Sequence, residues 1–262
     1  MRKLKVLFIS LASLALLFNA CKSNSTSNSP SNGPGNSYFP NSNGTSYKYS
    51  VTKTDSAKNT TSGTRSTTYS GTTTLNGVVY QNEIDTLSFS GLSFVTNSLF
   101  VKTGDTVYFA IDTSGLSQVI PDSLRQYITI SSGIKAFQFP FVQNTSWQVF
   151  NLGLNISGFA VNLVSVSGTY IGTEQVPLNL TSGATNMSAA KIQYTLTLKI
   201  PTANPLVFNT KTYTAFAWMA NNVGMIQMEG NGAILDAFTG AGINFADTTS
   251  NITQSLISYN IK

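Results

Sequence analysis

The sequence predicts an all-β fold: a strongly curved antiparallel sheet, closed in part as a barrel or sandwich, with at most one or two short helices. Three observations predict it. Charged residues make up only 10% of the chain, too few to clothe the polar faces of surface helices. Thr, Ser, Val, Ile, Tyr and Phe are abundant, and the β-branched and aromatic types among them pack well on a pleated surface. Apolar residues recur at every second position, while no long stripe falls at helical spacing.

The elements follow in chain order. Tyr47, Tyr49 and Val51 share one face of a first strand, and the polar stretch Asp55 to Arg65 reads as a long hairpin loop. Leu75-Asn76-Gly77-Val78 is a hairpin signal, since Asn-Gly suits two consecutive residues at positive φ. Leu87 and Phe89 alternate next. Leu99 to Val101 and Val107 to Phe109 flank a turn at Lys102-Thr103-Gly104-Asp105-Thr106. Pro121 to Tyr127 could make one or two helical turns, with Pro121 or Asp122 at the start. Phe137, Phe139 and Phe141 lie on one face ahead of Trp147. Met187 to Lys191 reads as another helical turn before the clearest half-buried strand, in which Ile192, Tyr194, Leu196, Leu198 and Ile200 alternate with polar residues. Glu229-Gly230-Asn231-Gly232 is a third hairpin signal, Asp236 to Asn251 an exposed loop or irregular hairpin, and Ile252 to Ile261 the last strand. An outer-membrane barrel is the rival architecture. It needs strands of about 9–11 residues with aromatic girdles, whereas these strands read as short, with Pro140, Pro177, Pro201 and Pro205 among them.

The first residues have a different character. Arg2, Lys3 and Lys5 precede an apolar run from Val6 to Phe18, and Asn19-Ala20-Cys21 closes it. That run has about 13 residues, suited to a secretory signal and short of the ~20 that span a bilayer. Residues 1–20 are therefore expected to be a signal peptide. Cys21 is the chain's one cysteine, so disulfides within the exported domain are excluded. Residues 22–37 are almost wholly Ser, Asn, Thr, Gly and Pro, the composition of a tether that cannot bury enough apolar surface to order itself. Residues 38–262 are expected to form a single β domain of about 225 residues, enough to bury roughly 70% of its unfolded surface.

This leader resembles the signal of bacterial lipoproteins, with Phe18 and Asn19 departing from the commonest box. The resemblance implies a diacylglyceryl group on the Cys21 sulfur and usually an acylated amino terminus, hence a membrane partner reached through acyl chains. Each buried methylene is worth about 0.8 kcal/mol, so two or three chains anchor durably. Lys22 and Ser23 follow the cysteine, and by the same resemblance the absence of an acidic residue there favours the outer membrane. An ordinary cleaved signal is the alternative.

Three further places resemble a loose group of uncharacterised Gram-negative envelope lipoproteins: Tyr38-Phe39-Pro40 with Gly44, Tyr47 and Tyr49; Val176-Pro177 with the Lys191-Ile192-Gln193-Tyr194 strand; and Trp218-Met219-Ala220 with Val223-Gly224-Met225-Ile226. Those proteins usually carry Trp where Tyr47 stands. Their pattern is similar to the half-open barrels of lipoprotein carriers, which hold acyl chains in a concave face.

Catalytic chemistry is scarce. The chain has no histidine, which removes Ser-His-Asp and Cys-His catalysis and most zinc sites. No loop has the alternating acids of a calcium site, and no glycine-rich loop opens a helix for phosphates. No metal or cofactor is expected. Ser132-x-x-Lys135, Ser188-x-x-Lys191 and Lys102-Thr103-Gly104 match motifs of penicillin-binding enzymes, but in the wrong order and on the wrong elements. Glu83 with Asp85, or Glu174 with Glu229, could pair as the carboxylates of a glycan hydrolase, although Glu83 and Asp85 read more simply as solvated residues. Trp147 and Trp218 are candidates for a ligand surface or for core. Without Arg2, Lys3 and Lys5, twelve basic residues face ten acidic ones, and no run of like charge points to nucleic acid.

The expectation is a lipid-anchored, non-enzymatic envelope protein whose β domain binds or scaffolds. The alternatives are a carrier or sensor of a hydrophobic ligand, and a carboxylate-dependent hydrolase of envelope glycans.

Overall fold

The computed structural model describes residues 37–110, 126–156, 158–201, 207–235 and 248–262. The signal segment, Cys21 and nearly all of the tether lie outside the described residues, as do Pro121 to Arg125 and most of the loop expected after Asp236.

Within the described residues the fold is all-β, as the composition predicts. Strands β1 (Ser46–Thr54), β2 (Thr60–Leu75), β3 (Val78–Phe89), β4 (Leu92–Thr103), β5 (Thr106–Phe109), β6 (Ile128–Ile130) and β7 (Ile134–Gln138) form the first half. They are followed by β8 (Ser146–Ile156), β9 (Phe159–Leu180), β10 (Gly183–Pro201), β11 (Phe208–Ala220), β12 (Gly224–Asn231) and β13 (Asn251–Asn260), with one short helix, α1 (Gly232–Leu235). All thirteen strands belong to one antiparallel sheet in the order β6-β8-β9-β10-β11-β12-β13-β1-β2-β3-β4-β5-β7. Chain neighbours are mostly sheet neighbours; the closure of β13 onto β1 is the long-range step.

The sheet curls until its two ends meet without pairing. Trp147 Nε1 on β8 donates to the Lys135 carbonyl on β7 at 3.1 Å, and the Tyr194 hydroxyl on β10 donates to the Ala136 carbonyl at 2.9 Å. β6 and β7 remain the edges, so the barrel is half-closed. Its side-chain pattern is the inverse of a membrane barrel: Tyr47, Tyr49 and Val51 point into the buried concave face while Lys48 and Ser50 are exposed.

The core sits inside the curl. Ile192, Tyr194 and Leu196, the alternation seen most clearly in the sequence, are fully buried together with Phe100, Ala215, Ala217, Met219 and Ile226. Leu198 is only partly buried and Ile200 is exposed, because that end of β10 runs past the core.

Several expectations are corrected. Strands are longer than the sequence suggested: β9 has 22 residues, β10 has 19 and β2 has 16. The helical turn expected at Met187 to Lys191 is strand throughout, since β10 pairs with β9 over that stretch (Met187↔Val176, Lys191↔Gly172) and the ladder overrides a weak local preference. The loop after β1 is only Asp55 to Asn59, tied by the Asn59 amide and side chain to the Asp55 carboxylate; Thr60 to Arg65 is the start of β2. Glu229 to Gly232 is no hairpin. Gly230 lies within β12 at φ +135°, where an added Cβ would sit 2.5 Å from Ala215 Cα, so the glycine permits close backbone approach. The Asn76-Gly77 turn is as expected, with φ of 51° and 79°. Ser90-Gly91, at 48° and 81°, turns the chain the same way between β3 and β4.

Candidate functional site

The concave face carries an ion cluster that the sequence did not reveal. β2 turns Arg65, Thr67 and Tyr69 inward, and β3, its neighbour, does the same with Glu83 and Asp85; Thr67 lies opposite Asp85 and Tyr69 opposite Glu83. All five are buried, Arg65 at 1% exposure and Asp85 at 2%. Glu83 and Asp85, read from the sequence as solvated, are therefore interior groups. The reason is visible in the pairing: one arginine on the adjacent strand supplies the charge that permits their burial.

Arg65 grips Asp85 with two bonds, Nε to Oδ1 and Nη2 to Oδ2, both 2.8 Å. Nη2 also donates to Glu83 Oε1 at 3.0 Å, and Nη1 to Gln254 Oε1 on β13 at 3.4 Å. Thr67 Oγ1 donates to Asp85 Oδ1 at 2.5 Å. The guanidinium carbon lies 5.8 Å from the Tyr49 ring centroid. Burial pushes the Glu83 carboxyl well above the usual glutamate range and the Asp85 charge adds to this, against the pull of Arg65. Burial opposes the Arg65 charge, yet Asp85 and Glu83 outweigh it and hold the guanidinium protonated. Burial raises the Tyr49 and Tyr69 hydroxyls as well.

Above the cluster sits Phe39. Its ring packs edge-on to Phe100 at 5.3 Å and against Phe137 at 5.7 Å and Tyr69 at 6.0 Å. Tyr47 donates to the Pro40 carbonyl at 3.1 Å, and Tyr49 to the Met225 carbonyl at 3.0 Å. Gly224, at φ +98°, approaches both: a Cβ there would lie 3.1 Å from the Tyr47 hydroxyl and 3.3 Å from Pro40. The Tyr-Phe-Pro opening motif and the Val-Gly-Met turn thus meet over the ion cluster. Between them lies a cavity of ≈ 30 Å³ lined by Phe39, Tyr47, Tyr49, Arg65, Glu83 and Phe137 among others. It has room for about one or two waters and none for an acyl chain.

Chemically, this cluster is occupied. Both Asp85 oxygens and one Glu83 oxygen accept bonds from Arg65, and Phe39 with the rings packed on it forms an aromatic plug over them, so neither carboxylate is placed as a base beside a substrate-sized space. The second carboxylate pairing is not assembled either. Glu174 accepts from Trp218 Nε1 at 2.5 Å and meets Lys191 Nζ at 3.3 Å, whereas Glu229 is exposed on β12. Ser188 and Lys191 lie along a strand rather than at a helix start.

The structure places Trp147 and Trp218 apart, and both are buried, at 6% and 4% exposure. Trp147 covers Gly168, its cross-strand partner, where an added Cβ would fall 2.5 Å from the ring; its ring meets Tyr194 edge-on at 6.4 Å. Trp218 lies under Lys191, whose Nζ is 4.8 Å from the ring centroid. Among the described residues no group of three or more His, Cys, Asp or Glu could hold a metal ion.

No family model matches the chain, and no curated protein matches it. Among solved structures it is similar to a candidate exported protein with a YmcC-like fold from Bacteroides fragilis, at 13% identity and a TM-score of 0.44 over 85% of this chain and 98% of that one. It is similar to a candidate lipoprotein from Parabacteroides distasonis at 14% identity and 0.43, with the same coverage. The hypothetical lipoprotein YmcC from Escherichia coli aligns at 11% identity and 0.31, over 81% of this chain and 84% of that one. Each is a distant likeness.

Proposed function

We propose that this chain is an envelope lipoprotein, acylated on Cys21 and held at the outer membrane, whose β domain binds or scaffolds without catalysing a reaction. The carrying observation is the leader: three basic residues, an apolar run from Val6 to Phe18, and a single cysteine after a small residue. The interior supports a non-catalytic role, because the best-placed carboxylates are spent on Arg65. The packed aromatic plug favours scaffolding over lipid carriage at that position, since the cavity beside it is a water's size.

The test is metabolic labelling with palmitate in a Gram-negative host. Label is expected in the full chain and lost in Cys21→Ala, which moves from the membrane to the soluble envelope fraction. A wild-type chain that takes no label, or a variant that stays with membranes, refutes the reading.

A further inference from the structure

The β2–β3 hairpin continues beyond the sheet that carries it. β1 stops pairing with β2 at Ser46↔Thr68, and β4 stops pairing with β3 at Phe100↔Gln81. Past those points β2 and β3 pair only with each other, through Thr73↔Tyr80, Thr74↔Val79 and Leu75↔Val78. Residues 70–79 are all exposed, and the tip is apolar: Leu75 is 42%, Val78 43% and Val79 58% exposed. Nothing in the sequence between Arg65 and Glu83 is charged, and both of those residues are buried. A bare two-stranded ribbon with such a tip is poorly suited to water, and Tyr80 just behind the tip is a residue type enriched at membrane interfaces.

The base of this ribbon is fixed to the point where the anchor segment joins the domain. Asn41 Nδ2 donates to Gln81 Oε1 at 2.9 Å, Gln81 Nε2 donates to the Asn41 carbonyl, and the Gly71 amide donates to Asn43 Oδ1 at 3.1 Å. Only residues 22–36 separate Cys21 from the first described residue, Ser37, and a chain of that length reaches at most about 50 Å. The 70–80 ribbon is therefore at the end of the domain tied to the anchor, whereas the 90–91 turn, with exposed Leu92, Phe94 and Val95, is at the other end of β3.

We propose that the tip of the β2–β3 hairpin, Leu75 to Tyr80, is a second membrane contact that lies in the interfacial layer of the bilayer holding the Cys21 acyl chains. The occupant is the lipid surface itself. This rests on the lipoprotein reading, because three modest apolar side chains bind a bilayer weakly unless tethering raises their local concentration. Two contacts on one end would fix the half-barrel's orientation, with its 90–91 end directed away from the membrane.

The full acylated chain allows a direct test, since acylation consumes Cys21 and leaves no other thiol. An environment-sensitive fluorophore is attached to Val79→Cys and, separately, to Lys58→Cys in the Asp55–Asn59 turn at the opposite end. Each protein is reconstituted in phosphatidylethanolamine–phosphatidylglycerol vesicles with spin-labelled lipid, and acylation is read from the mass of the N-terminal peptide. A blue shift and loss of intensity at position 79, absent at position 58, is the expected result. An acylated chain whose probe at 79 behaves like that at 58 overturns the hairpin contact and leaves the anchor intact. An unacylated mature chain removes the anchor and the hairpin contact together.

Discussion

Replacing Arg65 by Met tests how the concave face is held together. The substitution roughly keeps side-chain volume but deletes the hydrogen bonds to both Asp85 oxygens, to Glu83 and to Gln254. Asp85 would then keep its bond from Thr67 and no countercharge, at 2% exposure. Removing one partner from a buried ion pair costs about 3–5 kcal/mol, because the remaining charge stays desolvated. In a domain of this size each kcal/mol moves the midpoint by about 2–4 °C, so a fall of roughly 6–20 °C is expected in thermal unfolding followed by circular dichroism. The companion variant Arg65→Met with Asp85→Leu and Glu83→Leu removes the charges together and should recover most of that loss. A single variant within ~2 °C of wild type would refute the reasoning, as would a triple variant no better than the single one.

Glu83→Gln should change the pH dependence of stability rather than its maximum. The folded pKa of Glu83 is raised by burial and by Asp85, so the folded state holds its proton more tightly than the unfolded chain; stability is then fullest below the ordinary glutamate pKa and falls as pH rises through the raised one. Urea midpoints across that window should decline in wild type and decline less in the glutamine variant; parallel curves would count against a raised Glu83 pKa. Gly168→Ala places a methyl 2.5 Å from the Trp147 ring and should cost about 1–3 kcal/mol by overpacking, read as a lower urea midpoint. Tyr194→Phe removes the 2.9 Å bond to the Ala136 carbonyl that ties β10 to β7, at a cost of about 1–3 kcal/mol for a buried acceptor left unpaired; an unchanged midpoint would show that the two ends of the curl are held by other contacts.

How much of this was legible in the sequence follows from where the information lies. Strand identity is local, so the alternation at Tyr47 to Val51 and at Ile192 to Leu196 points to the correct inner face, and Asn76-Gly77 marks its turn through backbone preference alone. Strand length is less local. The Thr- and Ser-rich stretch from Thr60 to Thr64 has the composition of a loop, and only the ladder formed with β1 and β3 makes it strand. The ion cluster was hidden for a sharper reason. β3 inverts the usual pattern, burying Glu83 and Asp85 while Ile84 is partly exposed, and an inverted strand looks solvated until its neighbour is known. The usable signal was the pairing of two acids at i and i+2 with an arginine on the preceding strand of the same hairpin, in a chain where charge is scarce.

That inversion bears on why β2 and β3 sit in the register observed. An apolar face normally fixes register, since a slip of one residue turns every side chain to the opposite face. β2 has little such face: between Thr60 and Leu75 its only large inward apolar ring is Tyr69. Hydrophobic burial alone would separate the correct pairing from its neighbours by little. The ion cluster supplies the discrimination. With Thr67 opposite Asp85, Arg65 reaches both carboxylates; shifted by one position, either the arginine or the acids would be carried to the outer face and the partner left buried without countercharge. The penalty for that state is the same few kcal/mol that Arg65→Met incurs. The triple apolar variant should therefore be stable yet less uniquely paired. Amide exchange would show this as weakened protection confined to β2 and β3, while β9 to β11, whose register rests on Ile192, Tyr194 and Leu196, stay protected.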